Sequence, residues 1–277
     1  MKTAEEKKII VKEMYTDIAN QSKEENESSC CGAGGCGTVD HAVFAEDYSK
    51  MSGYNADADL GLGCGIPTAF IQVKEGDTVL DLGSGAGNDC FVAREMVGES
   101  GKVIGVDMTD VMIDKARENA DKLNFNNVEF RKGDIENLPV GGNLIDVVIS
   151  NCVLNLVPDK EKAFAETYRV LKPGGSFSVS DVVLKGELPE NLKNDAEMYA
   201  GCVSGAIQMT DYLNIIHQTG FADINVQKEV VVDLPDAILS KYVSEIEMAD
   251  FKSGKIGIYS ITVSATKPEC TPGGGCC

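Results

Sequence analysis

Beyond Thr78 the chain alternates between two patterns. Short, nearly continuous apolar runs predict strands near 78–82, 102–107, 128–132, 145–150 and 175–183; such runs belong to strands covered on both faces. Between them, apolar positions recur with helical spacing near 88–97, 109–123 and 160–171. This alternation implies an α/β fold: a mostly parallel sheet, right-handed crossovers and helices on both faces. Upstream, Thr3 and Glu6 have the spacing of a capping box, and Ile10, Val11, Met14, Tyr15 and Ile18 share one helical face. Residues 20–38 are polar and Ser/Gly-rich and read as a mobile arm, 48–65 read as loop, and Pro67 opens a short helix. Downstream, 188–218 read as helices outside the alternation, and 221–234 and 257–266 as two closing strands with a helix near 235–248 between them. Four regions are expected: 1–65, a core domain at 66–184, an α+β region at 185–268, and a tail at 269–277.

The most informative stretch is Asp81-Leu82-Gly83-Ser84-Gly85-Ala86-Gly87, an acid and a glycine-rich turn between the first strand and its helix. Glycines let a ligand approach the backbone, and the helix start offers free N–H donors. The third glycine of a dinucleotide fingerprint would fall where Asn88 stands. An acid before the loop suits a ligand carrying an ammonium group, as S-adenosylmethionine does beside its sulfonium, carboxylate and ribose diol. Asp107 ends the second strand about twenty residues on, the place of an acid that grips ribose hydroxyls. Asp134, Ile135 and Glu136 follow the third strand, and Asn151 follows the fourth. The candidate cofactor residues are therefore Asp81, Gly83, Ser84, Gly85, Gly87, Asp107, Met108, Asp134, Ile135, Glu136 and Asn151.

Charge and cysteine content narrow the class. The 277 residues carry a formal charge of −19, which argues against a nucleic-acid or anionic-membrane partner. No stretch has the length and apolarity of a membrane span or a signal core, so the chain reads as cytoplasmic; a monomer is expected. Ten cysteines are then an unlikely disulfide framework and call for ligation or redox work. His41 and His217 are the two histidines, and no Cys-x-x-Cys pair occurs, so a zinc site is poorly supplied. Cys90, on the first core helix, reads as a buried thiol, whereas the glycines around Cys64 and Cys202 point to exposed, tightly turned loops.

Asp81 to Gly87, Asn151-Cys152-Val153-Leu154-Asn155-Leu156-Val157-Pro158-Asp159-Lys160, Gly63-Cys64-Gly65 and Gly201-Cys202 together resemble arsenite methyltransferases, from about Tyr15 to about Phe251. The resemblance implies a Rossmann-like class I methyltransferase, an S-adenosylmethionine-binding domain at 66–184 and a substrate-site region at 185–268. It implies that Cys64, Cys152 and Cys202 bind As(III), that Cys30 or Cys31 (with Cys36 as the other candidate) pairs with Cys64 during turnover, and that Tyr15 adds an aromatic contact to the cofactor. Arsenite and methylarsenite would be the substrates, with thioredoxin or glutathione as reductant. Two other readings stand beside it: a class I methyltransferase acting on a small organic acceptor, and a non-catalytic thiol protein that sequesters metalloids.

Overall fold

The computed structural model describes residues 3–21, 46–189, 205–232, 240 and 243–269. Its centre is a seven-stranded sheet. Strands β1 (Thr78–Leu82), β2 (Lys102–Asp107), β3 (Val128–Lys132), β4 (Ile145–Asn151) and β5 (Leu171–Lys185) run parallel, while β6 (Ala222–Val231) and β7 (Gly257–Thr266) close the sheet antiparallel. The order is β3-β2-β1-β4-β5-β7-β6. The two expected closing strands therefore continue the core sheet. Helices α1 (Ala4–Ala19), α2 (Asn88–Val97), α3 (Asp110–Leu123), α4 (Lys160–Val170), α5 (Met209–Thr219) and α6 (Glu245–Lys252) complete the described elements with two short 3-10 turns, Pro67–Phe70 and Leu154–Leu156.

The sheet separates the apolar residues into layers. On one face Phe164 of α4 and Tyr212 of α5 pack against Phe177, Val179 and Val183. On the other, Cys90, Phe91 and Val97 of α2 and Ile113 of α3 cover Val79, Val103 and Ile149. A third cluster lies near the carboxyl ends of β4 and β5, where Cys64, Cys152, Val182, Leu184, Leu188 and Ala206 meet.

Three boundaries depart from the sequence expectation. Strand β5 begins at Leu171, which pairs with Ile145, and the register then shifts to Val147↔Ser176. Lys172-Pro173-Gly174-Gly175 is an irregularity within the strand, whose start was expected only at 175. Of the helix expected near 235–248, the last residues fall in α6, which Ser244 and Glu247 start with a capping box and which runs on to Lys252; 233–239 and 241–242 are outside the described residues. Of the helical stretch expected over 188–218, residues 190–204 also lie outside them, and the described part holds α5.

Helix α1 begins as expected, with Thr3 and Glu6 capping each other's backbone N–H groups. It packs on α3 and is held over the ends of β2 and β3 by charge. Lys8 Nζ donates to Asp134 Oδ2 (2.6 Å) and Glu136 Oε2 (2.7 Å).

Candidate active site

A cleft enclosing about 1230 Å³, its solvent side included, opens at the carboxyl ends of β1, β2 and β4. That is where open α/β sheets bind ligands. Gly83, Ser84 and Gly85 lie on one side, Asp107, Met108, Asp134 and Ile135 on another, and Tyr15 of α1 is part of the wall.

The glycine loop is shaped by contacts at both ends. Gly83 N–H (2.7 Å) and Ser84 N–H (3.0 Å) both donate to the Val106 carbonyl, so the loop leaves β1 by folding over β2. Gly85 N–H donates to Asp107 Oδ2 (3.1 Å), while Thr109 N–H donates to Oδ1 (2.8 Å). At Gly83, φ is +70°, and a Cβ there would lie 2.5 Å from Val153. The loop is therefore in contact with the turn that carries Cys152. Ser84 Oγ and Asn88 Oδ1 are buried without a hydrogen-bond partner among the described residues. Buried polar atoms are normally satisfied, so these two suit a polar ligand in the cleft. Acids at strand ends, close-approach glycines and orphaned polar atoms together fit S-adenosylmethionine.

The thiol end is built on Asn151, the last residue of β4. Its Oδ1 accepts from Cys64 N–H (3.0 Å), and its Nδ2 donates to the Gly65 carbonyl (2.8 Å) and to Asp89 Oδ2 (3.2 Å). Cys152 follows, and its N–H donates to the Ser180 carbonyl (2.7 Å). Flanking glycines permit the close fit. A Cβ on Gly63 would lie 2.6 Å from Asn151 Nδ2, and one on Gly65 would lie 2.5 Å from Ser180 Oγ. Both thiols end in the same apolar cluster, Cys64 at 2% exposure and Cys152 at 4%.

Cys152 has φ +59°, in the left-handed region. For a residue with a Cβ this costs about 1–2 kcal/mol, and such strain gathers at functional sites.

Several expectations need correcting. Cys64 is buried, not exposed: its glycines let the loop lie flat on Asn151 and Ser180. Glu136 does not line the cleft, because Lys8 and the Asp159 N–H (3.1 Å to Oε1) take its carboxylate. Gly87 is also away from the cleft; at φ +101° it starts α2, and Phe91 and Phe130 occupy the space a side chain would need. Asp134 does line the cleft, with one oxygen on Lys8. Cys90 is a fully buried thiol that donates to Asp81 Oδ2 (3.2 Å). Cys30, Cys31, Cys36 and Cys202, and the Cys270, Cys276 and Cys277 tail, lie outside the described residues.

Two participants were missed in the sequence, Tyr48 and Asp89. Tyr48 Oη lies 2.7 Å from Asp89 Oδ1 and 3.0 Å from the Gly65 carbonyl, and accepts from Asn151 Nδ2 (2.8 Å). Both residues line the cleft. Asp89 directly follows Asn88 at the start of α2, a position that could have marked it. Burial pushes the Asp89 carboxyl up to about 6 although Tyr48 and Asn151 hold its charged form. Burial, and then the charge of Asp89, push Asp81 well above the usual carboxylate range. Burial likewise raises Asp107 against its backbone donors.

Under the turn that follows Cys152 sits a second polar group. Lys160 Nζ donates to the carbonyls of Asn155 (3.0 Å) and Val157 (3.1 Å), and Tyr212 Oη donates to Asp181 Oδ2 (3.0 Å). Burial raises Asp181 to about 7 and lowers Lys160 to about 8.

A methyltransferase-domain family model matches residues 73–220. The chain is 42% identical to an arsenite methyltransferase of Halobacterium salinarum, over 95% of this chain and 67% of that one. It is 31% identical to an arsenite methyltransferase of Aquipseudomonas alcaligenes, over 94% and 73%. Among solved structures, an arsenic(III) S-adenosylmethionine methyltransferase from Chlamydomonas reinhardtii is similar at a TM-score of 0.63 and 36% identity, covering 76% of this chain and 68% of that one. With this sheet order, a cleft that fits S-adenosylmethionine and relatives of this extent, the chain belongs to the arsenite methyltransferases, a branch of the S-adenosylmethionine-dependent methyltransferases.

Proposed function

We propose that the protein methylates As(III) held on the thiolates of Cys64, Cys152 and Cys202, forming mono- and then dimethylated arsenicals. The observation that carries this reading is the convergence of Cys64 and Cys152, distant in sequence, at one buried cluster beside the cleft. Ala206, four residues after Cys202, packs in that cluster too.

Soft thiolates select a soft, three-coordinate centre. Each thiol that binds arsenite gives its proton to a departing hydroxide, releasing water, so arsenic loading needs no external base. Three sulfurs leave the arsenic lone pair free. Bound S-adenosylmethionine supplies the electrophilic methyl group. In that chemistry Asp81, Gly83, Ser84, Gly85, Asp107 and Met108 bind and orient the cofactor, and Asn151 aligns the Cys64 loop with the cleft. The chain's work is then largely positioning. Methylation formally oxidises arsenic by two electrons. Two thiolates can return them by joining as a disulfide, and Cys64 with Cys30 or Cys31 is the proposed pair. Exchange with thioredoxin or glutathione would reset it.

Product speciation by chromatography tests the proposal, with arsenite or monomethylarsonous acid supplied beside methyl-labelled cofactor. Labelled mono- and dimethylarsenicals are expected from the wild type. The Cys152→Ser and Cys202→Ser variants should lose methylation of both substrates. The Cys64→Ser variant should lose arsenite methylation and keep much of the activity on the monomethyl substrate, which needs two thiolates. Retained activity in Cys152→Ser would remove thiolate ligation as the basis of the reaction. Label appearing only on an organic acceptor would favour the small-molecule alternative.

A further inference from the structure

The cleft holds an unbalanced pair of acids. Asp81 is 2% exposed, Asp89 is half-buried, and the charge of Asp89 raises the proton affinity of Asp81. Among the described residues the one cation on the cleft wall is Lys8, whose ammonium is committed to Asp134 and Glu136. Among the described residues no ion pair reaches Asp81 or Asp89. Two neighbouring carboxylates, one buried and one half-buried, are costly without a counter-charge, and their cost falls if a bound ligand brings cations.

The two acids are neighbours with different partners. Asp81 is the penultimate residue of β1, ahead of the glycine loop, where its partner is the Cys90 thiol. Asp89 lies toward the thiols. Its Oδ2 accepts from Asn151, and that same side chain holds Cys64 N–H and immediately precedes Cys152. Tyr48 fixes its other oxygen, and a second acid, Asp59, adds negative potential. Asp89 is thus a carboxylate fixed on both oxygens at the thiol end of the cleft.

S-adenosylmethionine carries two positive charges, an ammonium and a sulfonium, and the second is the one that changes in the reaction. As the methyl carbon bonds to the arsenic lone pair, the carbon–sulfur bond breaks and its electron pair stays on sulfur. The sulfonium becomes a neutral thioether and the positive charge passes to arsenic. We propose that Asp89, positioned by Tyr48 and Asn151, is a specificity-determining counter-charge for the sulfonium, so that the cleft holds the methylated cofactor more tightly than the demethylated product. Asp81 then answers the ammonium, which both forms share. After transfer Asp89 is left facing a neutral sulfur, which favours release of S-adenosylhomocysteine.

The inference rests on the cofactor reading, and binding measurements separate the two. Calorimetry would compare S-adenosylmethionine, S-adenosylhomocysteine and sinefungin, whose amine puts a cation in place of the sulfonium. The wild type should bind both cationic ligands roughly tenfold or more tighter than S-adenosylhomocysteine, as a charge-assisted contact implies. Asp89→Asn should bring the three affinities within roughly threefold, with S-adenosylhomocysteine binding little changed. The substitution keeps the local bonding feasible, because Tyr48 can donate to the Gly65 carbonyl and accept from the new amide. Tyr48→Phe, which keeps the carboxylate, should lower the ratio by less. Asp107→Asn, away from this end, should weaken all three alike. Equal weakening of all three by Asp89→Asn, or an unchanged ratio, would overturn the role of Asp89 alone. No binding of any ligand by the wild type would overturn the cofactor reading with it.

Discussion

Gly65→Ala should impair arsenic chemistry far more than cofactor binding. The new Cβ would lie 2.5 Å from Ser180 Oγ, 2.7 Å from Ser180 Cβ and 3.3 Å from Thr262 Oγ1. Ordinary contacts between such atoms lie near 3.5 Å, so the loop must rise by about 1 Å. Ser180 cannot give way easily, being fully buried and bonded to Thr262 Oγ1 (2.8 Å). Overpacking of this kind costs about 1–3 kcal/mol, which for a chain of this size lowers the thermal midpoint by roughly 2–10 °C. The displaced segment carries Cys64, whose N–H would pull away from Asn151 Oδ1. A misplacement near 1 Å can cost about a hundredfold in rate. Arsenite methylation should fall by about that factor, while calorimetric affinity for the cofactor changes less than about threefold, since a weakened neutral hydrogen bond is a small term. Ser180→Gly removes the obstructing atoms and keeps the carbonyl that accepts from Cys152 N–H. Added to Gly65→Ala, it should restore at least part of the rate. Near-wild-type methylation in Gly65→Ala, or a loss that Ser180→Gly leaves untouched, would refute the steric argument.

Other consequences can be checked separately. Asp107→Ala should reduce cofactor affinity about ten- to a hundredfold by calorimetry, as for a lost charged hydrogen-bonding group, and unchanged affinity would remove Asp107 from the cofactor set. Cys152→Gly should be more stable in thermal melts than Cys152→Ala, because glycine accepts φ +59° without the left-handed strain of about 1–2 kcal/mol, although both variants lose the thiolate; a more stable alanine variant would count against strain at this position. Asp89 and Asp181 have folded values of about 6 and 7, above the ordinary 3.8, so the stability each adds is full below 3.8 and is lost as pH rises through the folded value. The ligand-free protein should therefore melt higher at pH 5.5 than at pH 8, and Asp181→Asn should flatten that slope and raise the midpoint at pH 8; an unaltered slope would place the titration elsewhere.

Much of this was legible from residue order. Apolar runs of strand length and the acids at their ends located the sheet and the cleft, because both depend on local pattern. The parts that were hidden depend on contacts between distant segments. The glycines around Cys64 signal a tight turn equally well in water or against a sheet, and only Asn151 and Ser180, brought in by β4 and β5, decide for burial. Glu136 looked like a cleft acid until Lys8, far upstream, claimed it. Tyr48 and Asp89 carry no motif; their meaning lies in a network that joins 48, 65, 89 and 151. The strand expected from 175 starts at Leu171, because the backbone absorbs Pro173-Gly174-Gly175 as an irregularity within β5.

The central claim is that arsenic rests on three cysteine sulfurs at the thiol end of the cleft. Arsenic X-ray absorption on the 277-residue chain loaded with one equivalent of arsenite addresses it directly. Three sulfur neighbours and no oxygen are expected in the wild type, falling to two sulfurs in Cys64→Ser, in Cys152→Ser and in Cys202→Ser, each taken alone. Oxygen neighbours in the loaded wild type, or a sulfur count that any one of these substitutions leaves at three, would contradict the account.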